Sequence, residues 1–150
     1  MDNLVARDLI QEVKLALEKQ EDSWEGTTDN CPVTHYFQDG IYTREIFLPK
    51  GTFLVSKIHR YDHPGFIMIG KCLVFTEKEG KQLCEAPRMM LTSAGTQRVI
   101  CVLEDTVWCT VHRTNAQTAE EAEKFLTAPD YEDRVLTQNQ SKKLEALLCQ

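Results

Sequence analysis

The chain has 150 residues, a formal net charge of −6 and ordinary shares of apolar (42%) and charged (27%) residues, which suits one globular domain with a sizeable core and is short for two. An acidic chain with scattered Lys and Arg has no general attraction for phosphate backbones, so nucleic acid is not an expected partner. No apolar run approaches the roughly 20 residues that span a membrane, and Met1-Asp2-Asn3-Leu4 lacks the order of a signal peptide, so no membrane association and a cytoplasmic location are expected.

Residues 3–20 read as a helix, because Leu4, Leu9, Ile10, Val13, Ala16 and Leu17 recur at helical spacing. Glu21 to Asn30 is polar, contains Gly26, and reads as a loop. From about residue 33 to 113 short β-branched and aromatic runs alternate with turns. The runs are Tyr42–Leu48, Thr52–His59, Phe66–Ile69, Cys72–Thr76, Gln82–Cys84, Met89–Ser93, Arg98–Leu103 and Thr106–His112. Many short strands with even turn signals predict an all-β barrel or sandwich. The C-terminal stretch, about 118–149, returns to helix. Thr118-Ala119-Glu120-Glu121 has the form of a capping box, Pro129 stops that helix, and Ser141–Leu148 is a second short one. The reading is a single domain with helical ends.

The six cysteines, Cys31, Cys72, Cys84, Cys101, Cys109 and Cys149, have no short C-x(2–4)-C spacing. They read as reduced thiols, several packed on strands as small hydrophobes.

One spacing stands out. Gly51 is followed by five residues, Lys57, one residue, His59, three residues, His63, six residues and Gly70. Further on comes Ser93-Ala94-Gly95-Thr96-Gln97-Arg98. These resemble the two motifs of the cupin superfamily, Gly-x5-His-x-His-x(3,4)-Glu-x6-Gly and Pro-x-Gly-x-x-His. Gly51, His59, Gly70 and Gly95 keep their identities. Lys57, His63, Ser93 and Arg98 replace the first His, the Glu, the Pro and the last His. Three stretches, His35-Tyr36-Phe37-x-x-Gly40-x-Tyr42-x-Arg44, Ala94-Gly95-Thr96-x-Arg98-Val99 and Glu104-Asp105-Thr106-Val107-Trp108, also look like small cupin-like proteins of tailed bacteriophages. The resemblance implies a cupin-like jelly roll, a site inside the barrel mouth for a small molecule, and a homodimer.

In a typical cupin, three His and a Glu hold Fe, Mn, Ni or Zn. Here Lys57 must lose a proton to bind a metal, and Arg98 stays protonated and binds none. The set Lys57, His59, His63 and Arg98 therefore suits an anionic ligand, with Arg98 gripping a carboxylate or phosphate bidentately. Alternatively, Arg98 pairs with Glu104 or Asp105. If His35 or His112 joins His59 and His63, a three-His site for a divalent transition metal returns. Otherwise these two sit at strand ends, bonded to backbone. Glu45, Glu104 and Asp105 are candidate bases without visible tuning. Ser56, Ser93 and the cysteines show no nucleophile pattern, there is no Gly-rich phosphate loop, and Trp108 reads as core. Three functions remain open: a metal-free binding module, a metal-dependent enzyme, and a phage factor that contacts a host protein.

Overall fold

The computed structural model describes residues 3–18 and 30–149. The expected last residues of the first helix and the loop at 21–29 lie outside this range. Asn3–Glu18 forms helix α1. Ala6 and Ile10, one turn apart, are its buried residues, whereas Leu4 and Leu9 of the expected apolar face are exposed. Polar contacts complete the docking on the sheet. Arg7 pairs with Glu77 at 2.8 Å and covers the Tyr131 ring at 4.0 Å, and Gln11 donates to Gln97 at 2.6 Å.

Strands β1 (Val33–Gln38) and β2 (Ile41–Leu48) make a hairpin; β2 matches the expected run Tyr42–Leu48, whereas no run was expected at β1. The hairpin's two-residue turn, Asp39-Gly40, has positive φ at both positions, the conformation that Asp-Gly adopts at low cost. Phe53–Val55 forms β3 and Ile58–His59 forms β4. These replace the single strand expected over Thr52–His59. The chain leaves the main sheet at Ser56, whose N–H donates to the Arg98 carbonyl and whose own carbonyl accepts the Gln97 side-chain amide.

The two longest strands are β5 (His63–Thr76) and β8 (Val99–Arg113). Each merges two runs that the sequence suggests are separate. Between them lie β6 (Gly80–Glu85) and β7 (Arg88–Thr92). The main antiparallel sheet has the order β1-β2-β8-β5-β6, with β3 added on β8 and β7 on β5. The register of β5 on β8 shifts on both sides of Gly70. Gly70 has φ +96°, and a Cβ there would lie 2.3 Å from the Asp105 carbonyl oxygen, so only glycine permits this close crossing. Beyond it each long strand serves a second set of neighbours. Leu48, Ile67, Cys72, Val74, Ile100, Val102 and Trp108, drawn from both halves, form one core cluster.

Helix α2 (Ala119–Leu126) starts where expected, with the Thr118 hydroxyl accepting the Glu121 N–H. Strand β9 (Thr127–Ala128) follows and pairs only with β4. Helix α3 (Arg134–Leu148) is twice the expected length, because Asp133 caps it by accepting the Leu136 N–H at 2.9 Å. Asp133 also receives a two-pronged ion pair from Arg60, at 3.0 and 2.8 Å. Among the described residues no helix is long and apolar enough to cross a membrane, and all six cysteines are free.

Candidate metal and anion site

Pairing register brings the site together. On β2 the residues Tyr42, Arg44, Ile46 and Leu48 alternate onto the inner face, opposite His112, Thr110, Trp108 and Thr106 of β8. Thr110 in turn stands opposite Gly65 of β5. His63, two residues before Gly65, therefore lies beside His112, two residues beyond Thr110, with ring centroids 4.4 Å apart. His59 comes from β4 and completes the group, 4.5 Å from His63 and 5.5 Å from His112. One ring nitrogen from each of the three lies within 4.8 Å of the others.

Each ring is held differently. His63 Nδ1 is 3.2 Å from the Tyr61 carbonyl, which can only accept, so Nδ1 carries the hydrogen and Nε2 keeps a lone pair. His112 Nε2 is 2.9 Å from the Thr110 hydroxyl. With that nitrogen as donor, the free pair is on Nδ1. His59 Nδ1 is buried and has no hydrogen-bond partner among the described residues. Burial, followed by the neighbouring His63, His112, Arg98 and Arg44, holds His59 well below its usual 6.5. Burial is also the main cause for His63, which is lowered, and for His112, which falls to about 3. The three imidazoles are neutral, the form that binds metal.

The other expected site residues divide. His35 does not join the three: it is an exposed residue, with Nδ1 2.6 Å from the Tyr42 hydroxyl, and the Tyr42 ring stands between it and His112. Lys57 is also apart, with an exposed side chain paired to Glu123 of α2. Arg98 does reach the site, but not by the salt bridge weighed for it. Its Nη2 donates to Thr92 at 2.8 Å and its guanidinium lies 5.8 Å from the Trp108 ring. Glu104 instead pairs with Lys71 and Asp105 accepts the Lys50 N–H, because both acids lie exposed at the bend.

The sequence reading missed Arg44 as a site residue. It occupies the layer next to Tyr42 and His112, and its charge acts on His59, His112 and His35. The signal was present as strand alternation, Tyr42-x-Arg44-x-Ile46-x-Leu48. On its outer side His112 lines a groove of about 1160 Å³, shared with Ile41, Tyr61, Phe125 and Leu126.

No family model matches the chain, and no curated protein matches it. Solved structures do. KdgF from Halomonas sp. superimposes with a TM-score of 0.51 at 13% identity, covering 65% of this chain and 93% of that one. The DMSP lyase DddQ from Ruegeria pomeroyi gives 0.52 at 12% identity, covering 64% and 53%. A protein of unknown function from Vibrio parahaemolyticus, VPA0057, gives 0.50 at 8%, covering 57% and 89%. At these identities the likeness concerns the fold. With the strand order and the two long bent strands, it places the chain in the all-β, cupin-like class that the motif spacing implies.

Proposed function

We propose that this protein is a small cupin-like metal protein: His59, His63 and His112 hold one divalent transition ion, and a small anionic molecule binds beside it. The observation that carries the reading is the convergence of three neutral imidazoles with the buried His59 Nδ1 left unpartnered. An unpaired buried polar atom costs free energy, and a metal bond removes that cost. An all-imidazole set suits Zn, Fe, Ni or Cu. A bound ion would supply Lewis acidity at open positions. The chain's own groups do the rest: the Tyr61 carbonyl and Thr110 fix two ring orientations, burial keeps the rings unprotonated, and Arg98 supplies guanidinium donors to an anion.

Elemental analysis of the purified protein tests this. About one transition ion per chain is expected, with loss of that ion in His59→Ala and in His112→Ala that remain folded. Failure of every offered divalent transition ion to bind would overturn it and leave a metal-free binding module as the reading.

Self-association rests on the family resemblance, and exposed Met68, Leu83, Met89 and Leu91 on neighbouring β5, β6 and β7 support it. Sedimentation should give a dimer mass, and a monomer at high concentration would exclude it. The bacteriophage connection is supported by the three ordered sequence stretches alone.

A further inference from the structure

We infer that Arg44 and Arg98 form a two-armed clamp and that the anion taken at this site is a small dicarboxylate. The inference rests on the site proposed above and adds the class of its ligand. The two guanidiniums come from different walls. Arg44 stands on β2 opposite Thr110. Arg98 precedes β8 and is steered inward by its bond to Thr92, which pairs with His63. Both act on the same ring, His59.

Neither has an acidic partner. Arg7, Lys57, Arg60, Lys71, Lys124 and Lys143 all pair with carboxylates. Among the described residues, Arg44 and Arg98 make no such pair, and Arg44 makes no side-chain hydrogen bond at all. Both are half-buried, and burial lowers both from the usual arginine value. Glu123 and Glu79 act on Arg44 and Arg98 only from beyond pairing distance, so each half-buried guanidinium gains from a ligand that brings a directly paired carboxylate.

A third unfilled donor, the Trp108 indole, stands on the same face. Gly65 faces Thr110 in the layer that holds Arg44, and a Cβ there would lie 3.2 Å from Trp108 Nε1. The absent side chain leaves that indole N–H accessible, and it too makes no hydrogen bond among the described residues. The unfilled groups are thus all donors, which selects a ligand made of acceptors. Each guanidinium fork matches one carboxylate, so two forks on separate walls favour a molecule with a carboxylate at each end. A dication on the histidines and two guanidiniums, with no Asp or Glu among the three-His group, likewise favour a dianion.

Calorimetric titration of the full chain tests the inference, with malonate, succinate, acetate and inorganic phosphate as probes. Wild type should bind malonate or succinate at least about 10-fold more tightly than acetate or phosphate. Arg44→Ala should lower that affinity about 10- to 100-fold, the effect of losing a charge-assisted pair, while metal content stays unchanged. Arg44→Lys keeps the charge but loses the fork. It should recover part of the affinity, and it stands in if Arg44→Ala does not fold. Dicarboxylates binding no better than acetate, or an Arg44→Ala affinity equal to wild type, would overturn the inference. Phosphate binding more tightly than either dicarboxylate would overturn it in favour of a single-oxyanion site. Metal content, measured on the same samples, reports the histidine site separately. Its absence would sink the metal reading while the Arg44 comparison still decides the clamp.

Discussion

Tyr42 stands between two histidines: its hydroxyl lies 2.6 Å from His35 Nδ1, while its ring stacks on His112 with centroids 5.8 Å apart. Phe37 stacks on it as well, at 4.7 Å. Tyr42 is thus a wall that sets the position of a candidate ligand, and His35 orients the wall. His35→Ala should leave metal stoichiometry unchanged. Tyr42→Ala removes a ring that is only 4% exposed, and should cost about 3–5 kcal/mol of stability and weaken metal binding. Chemical denaturation and metal titration of both variants check this.

Acid should destabilise the metal-free protein in a defined window. His112 binds its proton near pH 6.5 when unfolded and near 3 when folded. Between those values the unfolded state holds a proton that the folded state refuses. Stability is therefore full above about pH 6.5 and falls as pH drops toward 3. The slope is up to about 1.4 kcal/mol per pH unit for each such histidine. His112→Asn should flatten the dependence of urea midpoint on pH.

The two glycines of the first motif should tolerate alanine very differently. Gly51 has φ +86° but open space around it, so Gly51→Ala should cost about 1–2 kcal/mol from backbone strain alone. Gly70→Ala meets the same strain, and its Cβ also collides with the Asp105 carbonyl and Thr106. It should cost at least twice as much or prevent folding, as thermal melts would show.

Removing Asp133 should release the C-terminal helix. Asp133→Ala loses the N-cap, worth about 1 kcal/mol, together with the Arg60 pair. Amide exchange in 134–148 should speed up more than in β5 or β8.

Thiol accessibility should follow burial. Cys31, Cys72 and Cys84 are buried, and burial raises each thiol above its usual value. Cys149 is exposed. A thiol reagent should label Cys149 in the native protein and reach those three only on unfolding.

Much of this was legible in the residues, for physical reasons. Gly51 and Gly70 keep their motif positions because the backbone turns left-handed at both. His59, at the end of β4, and His63, at the start of β5, stand at motif positions because the short break between the two strands brings their rings to 4.5 Å of each other. Lys57 misled because parity with His59 assumes one continuous strand, and the chain breaks out of the sheet at Ser56-Lys57. The run Tyr42–Leu48 was legible as a strand, but its hairpin partner β1 was announced only by the turn chemistry of Asp39-Gly40. The length of α3 depended on Asp133, whose capping role becomes visible only once Arg60 is found beside it. Strand alternation puts Arg44 on the same face as Tyr42, but which face lines the site depends on the register of β2 on β8, a long-range fact.

The short strand β4 has a wider consequence. It carries His59, and its sole sheet partner is β9, which joins α2 to the segment leading into α3. The next residue, Arg60, reaches the α3 cap and accepts Asn139 on its carbonyl. A ligand on the histidines would therefore be thermodynamically linked to closure of the C-terminal segment. Its binding would raise the free energy needed to peel that segment away, and by reciprocity a chain whose end has opened would hold it less tightly.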